Sequence, residues 1–415
     1  TATSTSNVPC VGTHANTVGH LNPAIWTMIL PGSTRSVSRN HDEQNAFFGE
    51  VTIGLTPKLD MALGVRVTDD SGTTLVDSSP PFIRNDAGAD PLGDIYAFDN
   101  PRMDVDPDFG RNTTNKFALQ YQLNDDVMIY GSWGEGFTDA TAQIVTLPVI
   151  APAGCPATVN APVSYPQNRE VVTSREIGFR SDWLDSTLRF NASYFDASWN
   201  GMRVATLAMD PCSGNRLPQT IISSDGKGEA SGFEFELVYA PTDRLRLNMN
   251  LGILDTNYLA TGTFSNTGLD LSLPVVIPLT DLTGTGISSL DAPFAYAPDN
   301  SLSFGVQYEK PLSSGASLMF VGNYGWMDDY VRDTSNHRIP RDENGNMEFE
   351  PAYGVLNGRV VFTPSEGNWT ADVWMTNITD EQYVNGGFDT RTVWGFNFSV
   401  IGAPREVGAG LNIRF

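Results

Sequence analysis

The sequence lacks any long apolar run, and it carries few basic residues. Its 415 residues include 25 Lys and Arg against 48 Asp and Glu, for a formal net charge of −23. A nucleic-acid-binding surface needs a basic face, so this balance argues against nucleic acid as a partner. The longest apolar runs, such as residues 144–149, fall far short of the ~20 residues that a membrane-spanning helix needs. A helical membrane protein is therefore excluded, whereas a membrane-spanning β-barrel is not.

Histidine is also scarce, which bears on the classes of chemistry that the chain can perform. The four histidines are His14, His20, His41 and His337. They form no His-x-His or His-x-x-x-His pair, and none lies within a strand pattern beside a serine nucleophile. Zinc chemistry and hydrolysis therefore lack support. We expect no enzyme activity, no catalytic residue and no cofactor.

The three cysteines lie in stretches rich in Gly, Pro, Ser and Thr rather than in regular segments. Cys155 and Cys212 fall in two long connections, and a disulfide between them would tie these connections together. We expect this pair to form the disulfide. Cys10 is then the odd thiol, with any partner outside this chain.

Alternation with a period of two, the signature of β-strands, dominates the chain. In residues 233–239 aromatic or aliphatic side chains alternate with Glu234, Glu236 and Val238, and the pattern resumes after a turn at 241–243. Counting such runs gives about 13 strands, each of about the 9–11 residues that a tilted membrane strand requires. The alternation predicts an all-β, antiparallel transmembrane β-barrel of about 12–14 strands.

The connections between these runs alternate between short and long. Short turns are predicted near residues 56–58, 123–126, 184–187, 241–244, 310–315 and 363–368. Long connections are predicted near residues 1–40, 69–113, 137–172, 200–230, 259–298, 331–352 and 380–403. Tight periplasmic turns and large external loops give outer-membrane barrels this asymmetry.

The strand pattern also predicts two chemically different faces. The polar face includes Arg66, Arg189, Arg246, Arg359, Arg414, Glu50, Glu234, Glu236 and Asp372. Such a face is too polar for a dry core and suits a wet lumen. It is either a surface that contacts a plug and a substrate or an ordinary barrel interior. The external connections are predicted to carry aromatic residues, either as stacking groups for a ligand or as ordinary members of large loops. They are Trp199, Tyr258, Tyr330, Trp394 and Phe396.

One aspartate-rich stretch resembles a calcium loop. Asp104, Asp106 and Asp108 provide carboxylates at alternate positions, which suits Ca²⁺. Gly110 is one place too late for an EF-hand, and no bidentate Glu follows at the expected spacing. The stretch is therefore a weak metal candidate, and the alternative is a solvated acidic loop.

Several motifs near the C-terminus resemble those of the TonB-dependent receptors, a family of outer-membrane transporters. Residues 377–383, Asn-Ile-Thr-Asp-Glu-Gln-Tyr, are similar to the family's Asn-Leu-Thr-Asp-x-x-Tyr element. Residues 402–408 are similar to its Gly-x-Pro-Arg-x-Tyr/Val-Gly entry to the last strand, and the chain ends in an aromatic residue. The residues that carry these motifs are Asn377, Asp380, Tyr383, Pro404, Arg405, Gly408 and Phe415. Weaker likenesses occur at 130–137, at 174–182 and at 48–66.

The resemblance implies a receptor barrel for active uptake of a scarce nutrient of the siderophore-iron, cobalamin or glycan class. We expect residues 41–415 to form the C-terminal part of this barrel and residues 1–40 to form a loop or partial strand. The family's plug domain is absent from this stretch, and its barrels have 22 strands, so a fragment is the expected explanation. The implied location is the outer membrane of a Gram-negative bacterium.

The implied partners are outer-membrane lipid, lipopolysaccharide, a small nutrient ligand and the TonB complex acting through a plug. Three other interpretations remain open at this point. They are a plug-free passive porin, an outer-membrane enzyme with a Ser/His or Asp/His cluster at one rim, and a soluble β-sandwich or propeller.

Overall fold

The computed structural model describes residues 35–79, 103–105, 110–150, 158–167, 169–209, 216–261, 293–331, 349–389 and 397–414. Across these ranges the chain forms eighteen β-strands. The strands are β1 Arg35–Thr56, β2 Leu59–Ser79, β3 Met103–Val105, β4 Arg111–Asn124, β5 Val127–Thr138, β6 Thr141–Ile150, β7 Thr158–Gln167, β8 Glu170–Trp183, β9 Leu188–Met209, β10 Arg216–Thr242, β11 Leu245–Thr261, β12 Asn300–Pro311, β13 Ser317–Met327, β14 Tyr353–Thr363, β15 Trp369–Thr376, β16 Val384–Asp389, β17 Asn397–Ile401 and β18 Glu406–Ile413. No helix that could cross a membrane occurs in the described ranges.

Thirteen of these strands form one continuous antiparallel sheet. Their order is β1-β2-β4-β5-β8-β9-β10-β11-β12-β13-β14-β15-β18, and β3 pairs with β2 beside this path. The hairpins β6–β7 and β16–β17 are separate two-stranded sheets. Each strand pairs with its nearest available neighbour along the chain, as expected for a meander. The predicted all-β, antiparallel architecture of about 12–14 strands, with the character of a partial barrel, is confirmed.

Tight turns join the strands at one end of this sheet, which we call the turn end. The Asn124 side-chain oxygen accepts a hydrogen bond from the Asp126 amide at 2.9 Å, which closes the turn between β4 and β5. Residues 184–186 all adopt positive φ angles between β8 and β9, and Gly315 adopts φ 83° between β12 and β13. The opposite end, which we call the loop end, carries the long connections.

The two sides of the sheet are a polar face and an apolar face. The apolar face carries aromatic and aliphatic residues in contact across strands, including Tyr194 against Phe233 with ring centroids 5.1 Å apart. Its side chains are exposed to a degree that is unusual for their type, such as 65% for Ile177 and 59% for Val373. In the described ranges, no strand packs across this face, so a two-layered sandwich is excluded. The arrangement is that of a sheet whose apolar side meets lipid.

The structure extends several strands into segments that the sequence pattern assigned to loops. β2 continues to Ser79 and β9 to Met209, while the predicted loop at 137–172 contains the β6–β7 hairpin. β1 begins at Arg35, inside the segment 1–40, whose first 34 residues lie outside the described part of the chain. Beyond an apolar band the side chains no longer alternate in polarity, but backbone groups still need partners. Pairing therefore persists where the sequence signal ends.

Candidate functional site on the polar face

Cross-strand ion pairs cover the polar face between its two ends. Lys116 on β4 reaches over Gly64 on β2 and pairs with Glu50 on β1 at 3.0 Å. A Cβ at position 64 would lie 3.4 Å from the lysine Cβ and 3.5 Å from the glutamate carboxylate, so glycine leaves room for this bridge. Asp182 and Arg189 pair at 2.8 Å across β8 and β9. Because these groups are largely exposed, each pair contributes little stability and serves mainly to keep the face charged but balanced.

A more enclosed group joins β5 to β8. The hydroxyl of Tyr130 contacts the carboxylate of Glu176, and the Arg180 guanidinium lies over the Tyr130 ring at 5.5 Å from its centroid. The tyrosine covers Gly178, where an added Cβ would lie 2.8 Å from the hydroxyl oxygen. The three polar side chains therefore form a fixed patch on the polar face.

Arg359 and Asp372 form the most asymmetric ion pair of the polar face. They face each other across β14 and β15 with a nitrogen–oxygen distance of 3.0 Å. The aspartate side chain is only 3% exposed, whereas the arginine side chain is 49% exposed. The carboxylate depends on this cation because burial without a partner strongly disfavours its charge.

The polar-face residues expected from the sequence thus fall into two groups. Arg189, Arg359, Glu50 and Asp372 form ion pairs, and Glu236 accepts a hydrogen bond from Asn191 at 2.9 Å. The strand register also assigns Arg66, Glu234 and Arg246 to this face, and Arg414 directly follows β18.

An aromatic cluster covers the polar face at the loop end of β9, β10 and β11. Phe294 contacts Tyr258 and Trp199, with ring centroids 4.7 Å and 5.8 Å away. It lies against Gly228, where a Cβ would approach within 2.6 Å. Tyr258 is buried, with Val331 and Met202 beside it. These aromatic side chains are packed against one another, so they hold the segment before β12 onto the sheet.

A second aromatic group borders a small cleft near β14. The rings of Tyr353 and Tyr383 stack with centroids 4.5 Å apart. Tyr330 is buried, and its hydroxyl donates a hydrogen bond to the Val384 carbonyl at 2.9 Å. The cleft has a volume of about 80 Å³, and Glu350 and several of these residues line it. A cavity of that size holds only a few waters or a small part of a ligand.

The C-terminal motif around Asn377 forms a hydrogen-bonded junction at the loop end. Asn377 is 2% exposed and adopts φ 46° directly after β15. Its amide nitrogen donates to the carbonyls of Glu381 and Ala403 at 2.9 and 3.0 Å, and its oxygen accepts from the Glu381 amide at 2.8 Å. One side chain therefore joins the end of β15 to the segment that enters β18.

The remaining motif residues support the same junction. The Asp380 carboxylate accepts a hydrogen bond from the Arg405 amide at 3.3 Å and lies 3.6 Å from its guanidinium. Gly408 on β18 lies beneath the Trp374 ring, and a Cβ there would come within 2.2 Å of that ring. Pro404 precedes this contact, and Phe415 lies outside the described residues. In the described part of the chain, Asp380, Arg405 and Gly408 contribute contacts to this junction.

Several sequence candidates fall where the structure gives no description. Cys155, Cys212, Asp106, Asp108, Trp394 and Phe396 lie outside the described residues, so the disulfide and the calcium site remain predictions. Asp104 belongs to β3, which pairs with β2. Among the described residues, no group of three or more His, Cys, Asp or Glu side chains is arranged to hold a metal ion.

The structure brings together a polar cluster that the sequence pattern did not indicate. At the loop end of the polar face, Asp70 on β2 lies beside Asp139, which directly follows β5. Arg203 donates a hydrogen bond to the Asp139 carbonyl, and Gln44 donates to its carboxylate at 3.4 Å. We call Asp70, Asp139, Arg169, Arg203 and Gln44 the loop-end cluster. No local motif links its members, because they come from strands far apart in sequence.

Solved structures of several outer-membrane receptors resemble this chain. The ferric yersiniabactin uptake receptor FyuA from Yersinia pestis matches with a TM-score of 0.62 and 16% identity, over 92% of this chain and 47% of that one. The siderophore receptor PiuA from Acinetobacter baumannii matches with a TM-score of 0.57 and 14% identity, over 92% and 43%. The copper transporter OprC matches with a TM-score of 0.54 and 14% identity, over 92% and 48%.

These similarities establish the fold alone, since the identities are low, and the chain spans a little under half the length of each of these proteins. A family model described as a TonB-dependent receptor-like β-barrel matches residues 9–395, which is most of the sequence. It agrees with the thirteen-stranded antiparallel sheet, its two faces and the C-terminal junction. The chain therefore belongs to the TonB-dependent receptor family, and its sheet corresponds to part of that family's β-barrel.

Proposed function

We propose that this chain is part of an outer-membrane receptor that takes up a scarce nutrient actively. The proposal rests on the two different faces of the sheet, in a chain that belongs to the TonB-dependent receptor family. Its apolar face is fully available to lipid, and its opposite face is lined with balanced ion pairs. A sheet with these faces suits the outer membrane of a Gram-negative bacterium, with the polar face towards a wet lumen.

The loop end of the polar face is the proposed region of ligand entry. It carries the aromatic cluster around Phe294, the cleft beside Tyr353 and the loop-end cluster within the same sheet. Polar and charged side chains at this end would bind a polar ligand through hydrogen bonds, beside aromatic residues that hold the neighbouring segments in place. The ligand class remains open between ferric siderophores, copper, cobalamin and glycans. Import would depend on the TonB complex, acting through a plug in the whole protein.

Ligand binding by the whole protein, purified from outer membranes in detergent, tests this proposal. The probes are a ferric catecholate, a ferric hydroxamate, Cu²⁺, cobalamin and a maltooligosaccharide, each titrated while tryptophan fluorescence is recorded. We expect quenching that saturates with one of these probes, because Trp199 lies in the aromatic cluster at the loop end. Uptake of that probe by cells should then require an intact TonB complex.

A passive porin would give a different result in the same system. Planar bilayers containing the protein would show steady ion conductance without any added ligand, and uptake would continue when the TonB complex is deleted. Conductance of that kind, combined with no saturable binding of any probe, would overturn the proposal.

A further inference from the structure

Asp70 is a buried carboxylate whose surroundings in the cluster do not satisfy it. Asp70 is 5% exposed. Neither of its carboxylate oxygens accepts a hydrogen bond from an N–H or hydroxyl donor in the described part of the chain. One oxygen of Asp139 is buried without such a donor as well. Buried acceptors are normally paired, so this concentration of unpaired oxygens needs an explanation. Asn112, which faces Thr68 beside Asp70 across β2 and β4, also has a side-chain amide nitrogen without an acceptor among the described residues.

In the described part of the chain, polar and charged groups approach this carboxyl pair from β1, from just before β8 and from β9. Gln44 on β1 binds the Asp139 carboxylate and receives a hydrogen bond from Arg66 at 3.4 Å. Arg169, just before β8, and Arg203, on β9, both lie near enough to attract the charge of Asp139. When both carboxyls are ionised, their two negative charges equal the two positive charges of these guanidiniums. Addition of one proton to the carboxyl pair would leave a net positive cluster.

We propose that Asp139 holds a proton that it donates in a hydrogen bond to Asp70, and that the two side chains form a pH-sensitive clasp between β2 and the loop end of β5. A solvent proton bound to an Asp139 oxygen is donated in a hydrogen bond to Asp70. That bond gives the buried carboxylate the donor that it otherwise lacks in the described part of the chain. When the proton leaves, two negative carboxylates face each other and the clasp opens.

The electrostatics of the site support this arrangement. Burial, and after it the neighbouring Asp70, raise the pKa of Asp139 to about 6 against the pull of Arg169 and Arg203. The group follows β5, so it lies beyond the strand that would span the membrane. Because the pKa in the folded state exceeds the ordinary carboxyl value of 3.8, the folded clasp binds the proton more strongly than an opened one. Its stabilising effect is therefore complete below pH 4 and is lost as the pH rises through 6.

The consequence concerns the loop end of the lumen. A closed clasp joins β2 directly to the end of β5, two positions along the sheet, and it holds Gln44 on the edge strand β1 in place. An open clasp frees the end of β5 to move away from β2. At mildly acid pH, the loop end of the lumen would therefore be more rigid than at neutral pH. The relevance to ligand entry rests on the function proposed above, whereas the clasp itself does not.

Hydrogen–deuterium exchange of the detergent-solubilised protein tests the clasp without any ligand. With the exchange rates corrected for their intrinsic pH dependence, the amides of residues 67–70 and 136–139 should be about tenfold better protected at pH 5 than at pH 7.5, with a midpoint near 6. Asp139→Asn supplies a permanent amide donor to Asp70, so protection should become independent of pH. Asp70→Asn should abolish the pH dependence too.

A matched control lies one residue away on the same strand. Asp69 is on the opposite face, where it pairs with Arg111 at 3.6 Å, so Asp69→Asn should keep the tenfold change. Infrared spectra of the wild type should show a protonated carboxyl band that disappears near pH 6 and is missing in Asp139→Asn. The proposal is wrong if the wild type shows no change in protection between pH 5 and 7.5, or if Asp139→Asn and Asp70→Asn both retain that change. A carboxyl band that titrates near pH 4 would also overturn it.

Discussion

Replacing Asn377 with alanine tests whether the C-terminal motif serves the fold. The side chain makes three hydrogen bonds to the backbone, two to the Glu381 peptide groups and one to the Ala403 carbonyl. Alanine would leave two carbonyls and one amide of the junction without these partners. Each such group costs about 1–3 kcal/mol, and alanine at a positive φ adds about 1 kcal/mol. Partial rescue by water reduces the sum, so we expect a loss of about 3–6 kcal/mol in unfolding free energy.

The assay is urea unfolding of the full-length protein in lipid vesicles, followed by tryptophan fluorescence. Trp374 on β15 lies against Gly408 on β18, so its emission reports the junction that Asn377 holds. Asn124→Ala is the matched control, because that asparagine is exposed in a turn. Its side chain accepts a hydrogen bond from the Asp126 amide there, and we expect a loss of about 1 kcal/mol or less.

The two variants must therefore differ clearly in their unfolding midpoints at unchanged slope. If Asn377→Ala lies within 1 kcal/mol of the wild type, the junction contributes little to stability. The motif would then have to be explained by recognition during membrane insertion or by a partner protein. Equal losses for Asn377→Ala and Asn124→Ala would refute the argument from burial.

Two further substitutions, each with a matched control, examine the faces of the sheet by the same unfolding assay. Arg359→Met leaves the buried carboxylate of Asp372 without its cation and should lower the unfolding free energy by about 2–4 kcal/mol. Lys116→Met, whose partner Glu50 is exposed, should lower it by less than about 1 kcal/mol. Similar losses for the two variants would mean that burial does not govern these pairs. Val373→Arg places a charge on the apolar face and should cost about 2–4 kcal/mol in vesicles, while Gln307→Arg on the polar face should be nearly neutral. A neutral Val373→Arg would contradict contact with lipid.

Much of the fold could be predicted because strand alternation is a local property. The run from 233 to 239 and its continuation from 245 indicate a hairpin with one apolar side, and the structure pairs Phe235 with Leu251 and Glu236 with Asn250 as the alternation requires. The strand ends were missed where side chains stop alternating, as at Ser79 and Met209. Backbone pairing continues there without any sequence signal.

The candidate sites also divide into features that local sequence predicted and features that only the fold revealed. The motif around Asn377 was recognisable because its residues are close in sequence, although its role as a buried junction was not. Three of the external aromatics, Trp199, Tyr258 and Tyr330, proved to be packed within the protein, because connections that fold back over the sheet bring Phe294 and Val384 against them. No spacing in the sequence encodes such contacts.

The sequence by itself determined the two-sided strands, the short turns, the acidic balance and the family, since each of these depends on residues that are neighbours in the chain. Only the tertiary structure decided which charges meet. Asp70 and Asp139 are 69 positions apart, and the register of antiparallel strands brings them together. Register is a sum over many pairings along the sheet, so a carboxyl pair at its loop end is a property of the whole fold and of no single segment.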